Sequence, residues 1–239
     1  MDTLAQWWSS LVDLWAAVAG PAGVLAGAGT AHLDLPQLLA LAAVLGWASG
    51  LRLYAVLFVI GLSGFMGWLP LPKGLALLQH PAMLIGSGCM LFVEFFADKI
   101  PGLDSLWDIV HSVTRVPAGA ALAAGVFGAD SATMGAVAAV LGGSLAATSF
   151  ATKATARAAV NTSPEPFTNV AASLFEDGLV MAALWLATHH PIAFGICLVI
   201  VLVLSVWLLI VLFKFLQRLG RRLAQFFSRS TSSQRNLNV

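Results

Sequence analysis

EFFADKIPGLDSLWDIVHSVTR, residues 94–115, carries seven ionisable side chains in a chain where charged residues are only 10% of the total. They are Glu94, Asp98, Lys99, Asp104, Asp108, His111 and Arg115. Glu94 and Asp98 stand four apart, so a helix puts both carboxylates on one face. Pro101-Gly102 then breaks that helix, because proline cannot continue it and glycine accepts the turn. Asp104, Asp108, His111 and Arg115 follow at steps of 4, 3 and 4, a polar stripe down a second helix. The stretch reads as helix, turn, helix, with its charge directed to one side.

The surroundings of that stretch are apolar. The chain has 239 residues, 59% of them hydrophobic, and a mean hydropathy of +0.89, too apolar for an ordinary soluble domain. Runs near the ~20 residues that a bilayer crossing needs recur along it. The expected fold class is all-α: a polytopic membrane helix bundle of about six spans with an amino-terminal amphipathic helix, since lipid makes each span satisfy its own backbone. Residues 1–35 are expected to form that interfacial or membrane helix, with Trp7, Trp8 and Trp15 at the headgroup level. It lacks a basic leading region and so does not read as a signal peptide.

The bundle is expected over residues 36–213, in halves of about 36–128 and 131–213, with a basic tail over 214–239. The spans run from about Pro36 to Leu62, Pro81 to Asp98, Leu106 to Phe127, Ser131 to Val160, a capping Thr168 to Thr188, and Ile192 to Phe213. The last is the most uniformly apolar and is expected to face lipid. Cys89 and Cys197 lie in apolar runs and read as buried thiols rather than a disulfide.

Charge is uneven along the chain. Residues 1–213 hold six basic and eleven acidic side chains, whereas 214–239 hold six basic and none acidic. That tail (Lys214, Arg218, Arg221, Arg222, Arg229, Arg235) is expected in the cytoplasm by the positive-inside rule, with anionic lipid as its partner. The closing STSSQRNLNV reads as disordered. Counting back through the spans puts Lys99 and the SPEP loop on the same side as the tail. Nucleic acid is not expected, because the dense basic patch follows the last span directly.

AAVLG occurs at 42–46 and again at 138–142, each copy opening a small-residue face: Gly46 and Gly50, then Gly142 and Ala146. Such faces let helices approach closely in lipid. A charged span follows each copy, and three spans per half would emerge inverted, a plan of secondary transporters.

Ionisable groups within spans are costly and usually face a cavity or a partner. The acidic candidates are Glu94, Asp98, Asp104, Asp108, Glu176 and Asp177. Their basic counterparts are Arg52, Lys99, Arg115, Lys153 and Arg157. They could bind a small ion or solute or simply pair off to hold the bundle together. His111 suits proton relay, because its charge changes near neutral pH. Asp104, Asp108 and His111 could also hold a divalent metal. No HExxH, GxSxG or phosphate loop is present, so no enzyme and no cofactor are expected.

At ADKIPGLDSLWDIVHSVTR, with VNTSPEP and the later FEDG, the chain resembles a bacterial membrane-protein family known as domain of unknown function 4126, over about Leu35 to Thr188. The resemblance implies an integral membrane protein and no particular activity. There is a fainter similarity to cation/proton exchangers whose inverted halves each carry Glu-x-Gly-Asp-Lys. Here Glu94 and Asp98-Lys99 are spaced differently, and Glu176-Asp177 has no lysine after it. The functional expectation is a small transporter in the bacterial inner membrane, proton- or cation-coupled. A lipid-handling protein and a non-transporting scaffold are the alternatives, and a homo-oligomer stays open.

Overall fold

The computed structural model describes residues 33–100, 102–128, 131–160 and 166–235. The expected amino-terminal helix and most of the NTSPEPF loop lie outside the described residues. Among the described residues there are six α-helices: α1 Leu35–Phe65, α2 Pro81–Ala97, α3 Leu103–Phe127, α4 Ala132–Val160, α5 Pro166–His189 and α6 Pro191–Arg235, with a 3-10 helix Lys73–Gln79 ahead of α2. There is no strand among the described residues. Among the described residues five helices, α1 counted at its full length, are long and apolar enough to cross a membrane, or six if the 3-10 helix and α2, bent by 68°, count as one. The chain is a multi-pass membrane protein.

Local chemistry sets the helix ends. Asp34 caps α1 in a reciprocal box: its Oδ1 accepts from the Gln37 N–H at 3.0 Å, and Gln37 Oε1 accepts from the Asp34 N–H at 3.0 Å. Proline opens α2, with His80 Nδ1 accepting from the Ala82 N–H at 3.2 Å. Gly102, at φ +86°, supplies the turn before α3 that a side chain would strain. Proline also opens α5 at Pro166, so Thr168 lies inside the first turn and is not the cap.

The chain folds back within α1. Arg52 breaks the helix at φ −143°, ψ 76°. Gln37 and Ile60, 23 residues apart, line one cavity of about 510 Å³, whereas straight helix would part them by roughly 35 Å. Neighbours agree: an added methyl at Gly50 would meet the middle of α4, while one at Gly61 would meet Leu78 and Leu84, just before and within the start of α2. α1 is therefore a helical hairpin with Arg52 at its tip, not the straight crossing expected over 36–62. It is also the most enclosed element: 72% of its apolar window is buried, against 6% for α6.

Small residues let the hairpin sit that deep. A Cβ at Gly46 would come 2.6 Å from Gly142 Cα, so the two AAVLG copies meet backbone to backbone. Gly119 of α3 closes the same crossing beside Gly46 and Ala146. α3 lies along the length of α4, whereas α6 touches α1 lightly.

Two further expectations give way. Cys89 and Cys197 are exposed thiols on the outer face, because lipid is as apolar as a protein core and hydropathy cannot tell the two apart. The first part of the tail expected to be disordered is helical: α6 runs unbroken for 45 residues to Arg235, about 67 Å of helix, and residues 236–239 lie outside the described residues.

Candidate functional site

The hairpin tip stands in a buried cluster of charge. Arg52, at 0% exposure, reaches Asp98 with one guanidinium nitrogen and Asp177 with Nε at 3.1 Å. Its Nη2 donates to the Ser173 hydroxyl at 2.7 Å and to the Ser173 carbonyl at 3.1 Å. The broken helix also frees carbonyls that straight helix would occupy. Leu51 O accepts from Lys153 Nζ at 3.2 Å, and Gly50 O lies 3.5 Å from Arg115 Nη1.

α3 contributes the stripe. Arg115 sits twelve residues from each end of the helix, roughly 18 Å from either side. It holds Glu94 at 2.9 Å through Nη2 and Asp108 at 2.9 Å through Nη1. Asp104, nearest the turn, accepts from the Gly102 N–H at 2.8 Å and lies 3.7 Å from Arg157. The four-residue steps thus present one face to the bundle interior, with Asp104, Asp108, His111 and Arg115 all buried on it.

Two cations of α4 join the sides. Lys153 Nζ lies 2.9 Å from Asp98, 3.2 Å from Asp108 and 3.6 Å from Glu176. Arg157 grips Glu176 with Nε and Nη2, both at 3.2 Å, a two-pronged match of guanidinium to carboxylate. Its Nη1 donates to Asn169 Oδ1 at 2.8 Å and to the Asp98 carbonyl at 3.1 Å. At the rim, Lys99 lies 3.9 Å from Asp177 and over the Phe95 ring. Burial pushes its ammonium below the ordinary lysine range, and the Asp177 charge pulls the other way.

All twelve residues singled out from the sequence lie in or against this one cluster. Eleven of them make ion pairs, with partners spread from α1 to α5. His111 stands apart from the pairing. Its Nδ1 is 2.9 Å from the Trp107 carbonyl, its ring stacks on Trp107 at 4.0 Å, and Tyr54 meets it edge-on at 5.6 Å. Asp104, Asp108 and His111 do not gather around one point: among the described residues no three such groups are disposed to hold a metal. Asp108 is drawn to Arg115 and Lys153 instead.

Sequence reasoning passed over Asn169 and Ser173, which are 1% and 0% exposed and tie α5 to Arg157 and Arg52. The signal was there: Asn169, Ser173 and Glu176 step by 4 and 3, the same rhythm as the α3 stripe. Tyr54 was missed because it stands alone among apolar residues.

Residues 39–210 match the family described as Domain of unknown function (DUF4126). The chain belongs to that family. The DUF4126 region takes in the whole hairpin tip and every residue of the ionic cluster, and it stops within the apolar part of α6. A search of curated proteins and a search of solved structures each returned no match.

Formal charge is not balanced in the cluster. Six carboxylates (Glu94, Asp98, Asp104, Asp108, Glu176, Asp177) face five cations (Arg52, Lys99, Arg115, Lys153, Arg157), one negative charge in excess. Five carboxylate oxygens, Glu94 Oε2, Asp98 Oδ1, both oxygens of Asp108 and Asp177 Oδ2, are buried without a hydrogen bond. A cavity of about 350 Å³ reaches the cluster from the side, between α4 and α5, which scarcely touch each other. Its walls include Trp47, Leu51, Phe175 and Leu208, and its inner end is Lys153 and Glu176.

Proposed function

We propose that this chain is a small membrane transporter whose ionic cluster binds a proton or a small cation as the coupling ion. The observation that carries the reading is the single negative charge in excess within a buried cluster at the tip of a broken helix. An isolated buried charge costs several kcal/mol, and one added monovalent cation or proton removes it. Broken helices that offer free carbonyls to ions are a recurrent device of transporter sites. Glu94, Asp98, Asp108 and Glu176 line the ion's position. Arg52, Arg115, Lys153 and Arg157 hold the carboxylates in place, and His111 carries protons at the edge. We put the protein in a bacterial inner membrane with its carboxyl terminus cytoplasmic, because Arg157 reaches the Asp98 carbonyl beside Lys99, and α6 turns basic shortly after Leu208, which lines one cavity with Ala156.

The lateral cavity favours a second reading. Apolar walls that end on a lysine and a glutamate suit an amphiphile entering from the bilayer, as a lipid-handling protein requires. Reconstitution into liposomes separates the two readings. The transporter predicts solute or ion flux driven by a pH or cation gradient and abolished by Asp98→Asn. Translocation of labelled lipid headgroups without ion flux would replace it with the second reading. Neither movement, with Asp98→Asn altering only folding, would leave the cluster a structural ion-pair core.

A further inference from the structure

Within the cluster the carboxylates are not equally compensated. Asp98 has Arg52 and Lys153 against it, Asp108 has Arg115 and Lys153, and Asp177 has Arg52 and Lys99. Glu176 has three cations within 4 Å: Arg52, Lys153 and Arg157. Asp104 receives the Gly102 N–H and the Asn169 amide besides Arg157. Glu94 has one close cation, Arg115, which it shares with Asp108. Its Oε1 takes that contact, and its Oε2 is buried without a hydrogen bond in a residue at 0% exposure.

We propose that the coupling ion is a proton and that Glu94 carries it, on Oε2, with Tyr54 and His111 as its path to the outside. With Glu94 neutral, the remaining five carboxylates match the five cations. The charged groups facing it from every side are Arg115 and Asp108 from α3, Lys153 from α4, Arg52 from the hairpin tip and Asp98 one turn further along. Tyr54, on the returning arm of the hairpin, meets the His111 ring edge-on at 5.6 Å and lies within electrostatic range of Glu94 and Arg115. His111 beyond it is 9% exposed and keeps Nε2 free of the Trp107 carbonyl. In the loading step water outside gives up a proton, the histidine and the phenol pass it inward, and a new O–H bond forms at Glu94. Release runs the same bonds in reverse, and the cluster alternates between neutral and singly negative.

This inference rests on the transport reading, but its test does not depend on flux alone. Glutamine has the shape of a protonated glutamate. Glu94→Gln in the full chain, in nanodiscs, is therefore expected to keep its melting temperature within about 2 °C of wild type, whereas Asp98→Asn, which strips Arg52 and Lys153 of a charged partner, lowers it by roughly 10 °C. Infrared spectra at neutral pH are expected to show a protonated-carboxyl band that Glu94→Gln removes and Tyr54→Phe leaves in place. In liposomes, proton-driven flux is expected to disappear in Glu94→Gln and to slow about tenfold in Tyr54→Phe. A Glu94→Gln melting temperature as low as that of Asp98→Asn, or no such band in wild type, overturns the assignment. Flux driven by sodium with no such band removes Glu94 as carrier and leaves transport standing. The band with no flux of any ion keeps the proton on Glu94 and removes transport.

Discussion

Lys153→Met is the sharpest probe of the cluster as an electrostatic unit. The methionine keeps the bulk of the buried stem and removes an ammonium that three carboxylates share at 2.9, 3.2 and 3.6 Å. Asp98 retains Arg52 and Asp108 retains Arg115, so neither is orphaned, yet the cluster becomes more negative by one unit. Removing one partner from a buried ion pair typically costs about 3–5 kcal/mol. For a chain of this size each kcal/mol moves the melting temperature by about 2–4 °C, which gives a fall of roughly 6–20 °C. Adding Asp108→Asn restores the original charge count. The double variant is expected to recover about 1–3 kcal/mol relative to the sum of the singles, the range for residues in one network. Heating detergent-solubilised protein and measuring the monodisperse fraction by size exclusion reads all four corners of the cycle. A Lys153→Met melting temperature within about 2 °C of wild type, or strict additivity in the double variant, would refute the reasoning.

Two further predictions concern the hairpin. Spin labels at positions 37 and 63, with Cys89 and Cys197 replaced by alanine, are expected to lie within about 20 Å of each other; straight helix would put them about 39 Å apart. Gly46→Leu forces a side chain into the Gly142 backbone, which an added Cβ alone would meet at 2.6 Å. It is expected to cost about 1–3 kcal/mol or more by overpacking. Gly86→Ala, where nothing lies within 4 Å, is expected to be neutral or to gain up to about 1 kcal/mol from helix propensity. Equal melting temperatures for the two glycine variants would contradict the close crossing of α1 and α4.

The site was more legible in the sequence than the fold that carries it. Steps of 4, 3 and 4 from Asp104 to Arg115 put four polar groups on one face, and in so apolar a chain that face had to turn inward. The hairpin was hidden because nothing in LGWASGLRLYAVLF departs from helical apolar spacing. Arg52 breaks the helix through what it meets across the bundle, Asp98, Ser173 and Asp177, and such contacts leave no local trace. One sign was available: the run from Pro36 to Leu62 is longer than the roughly 20 residues that a crossing needs. Hydropathy identified α6 as lipid-facing, since only 6% of its window is buried. The same scale misjudged Cys89 and Cys197, because it ranks affinity for an apolar phase without saying which one.

Because its tip bears an arginine, the hairpin has consequences for the order in which the protein is made. Arg52 finds its first carboxylate 46 residues later in the chain, at Asp98, and its last at Asp177. A nascent chain that has not yet delivered α2 and α5 has nothing to offset the guanidinium in hydrocarbon. The two arms are therefore expected to wait at the bilayer surface and to sink into place when the later helices arrive. The hairpin is thus expected to be seated after helices that are made later.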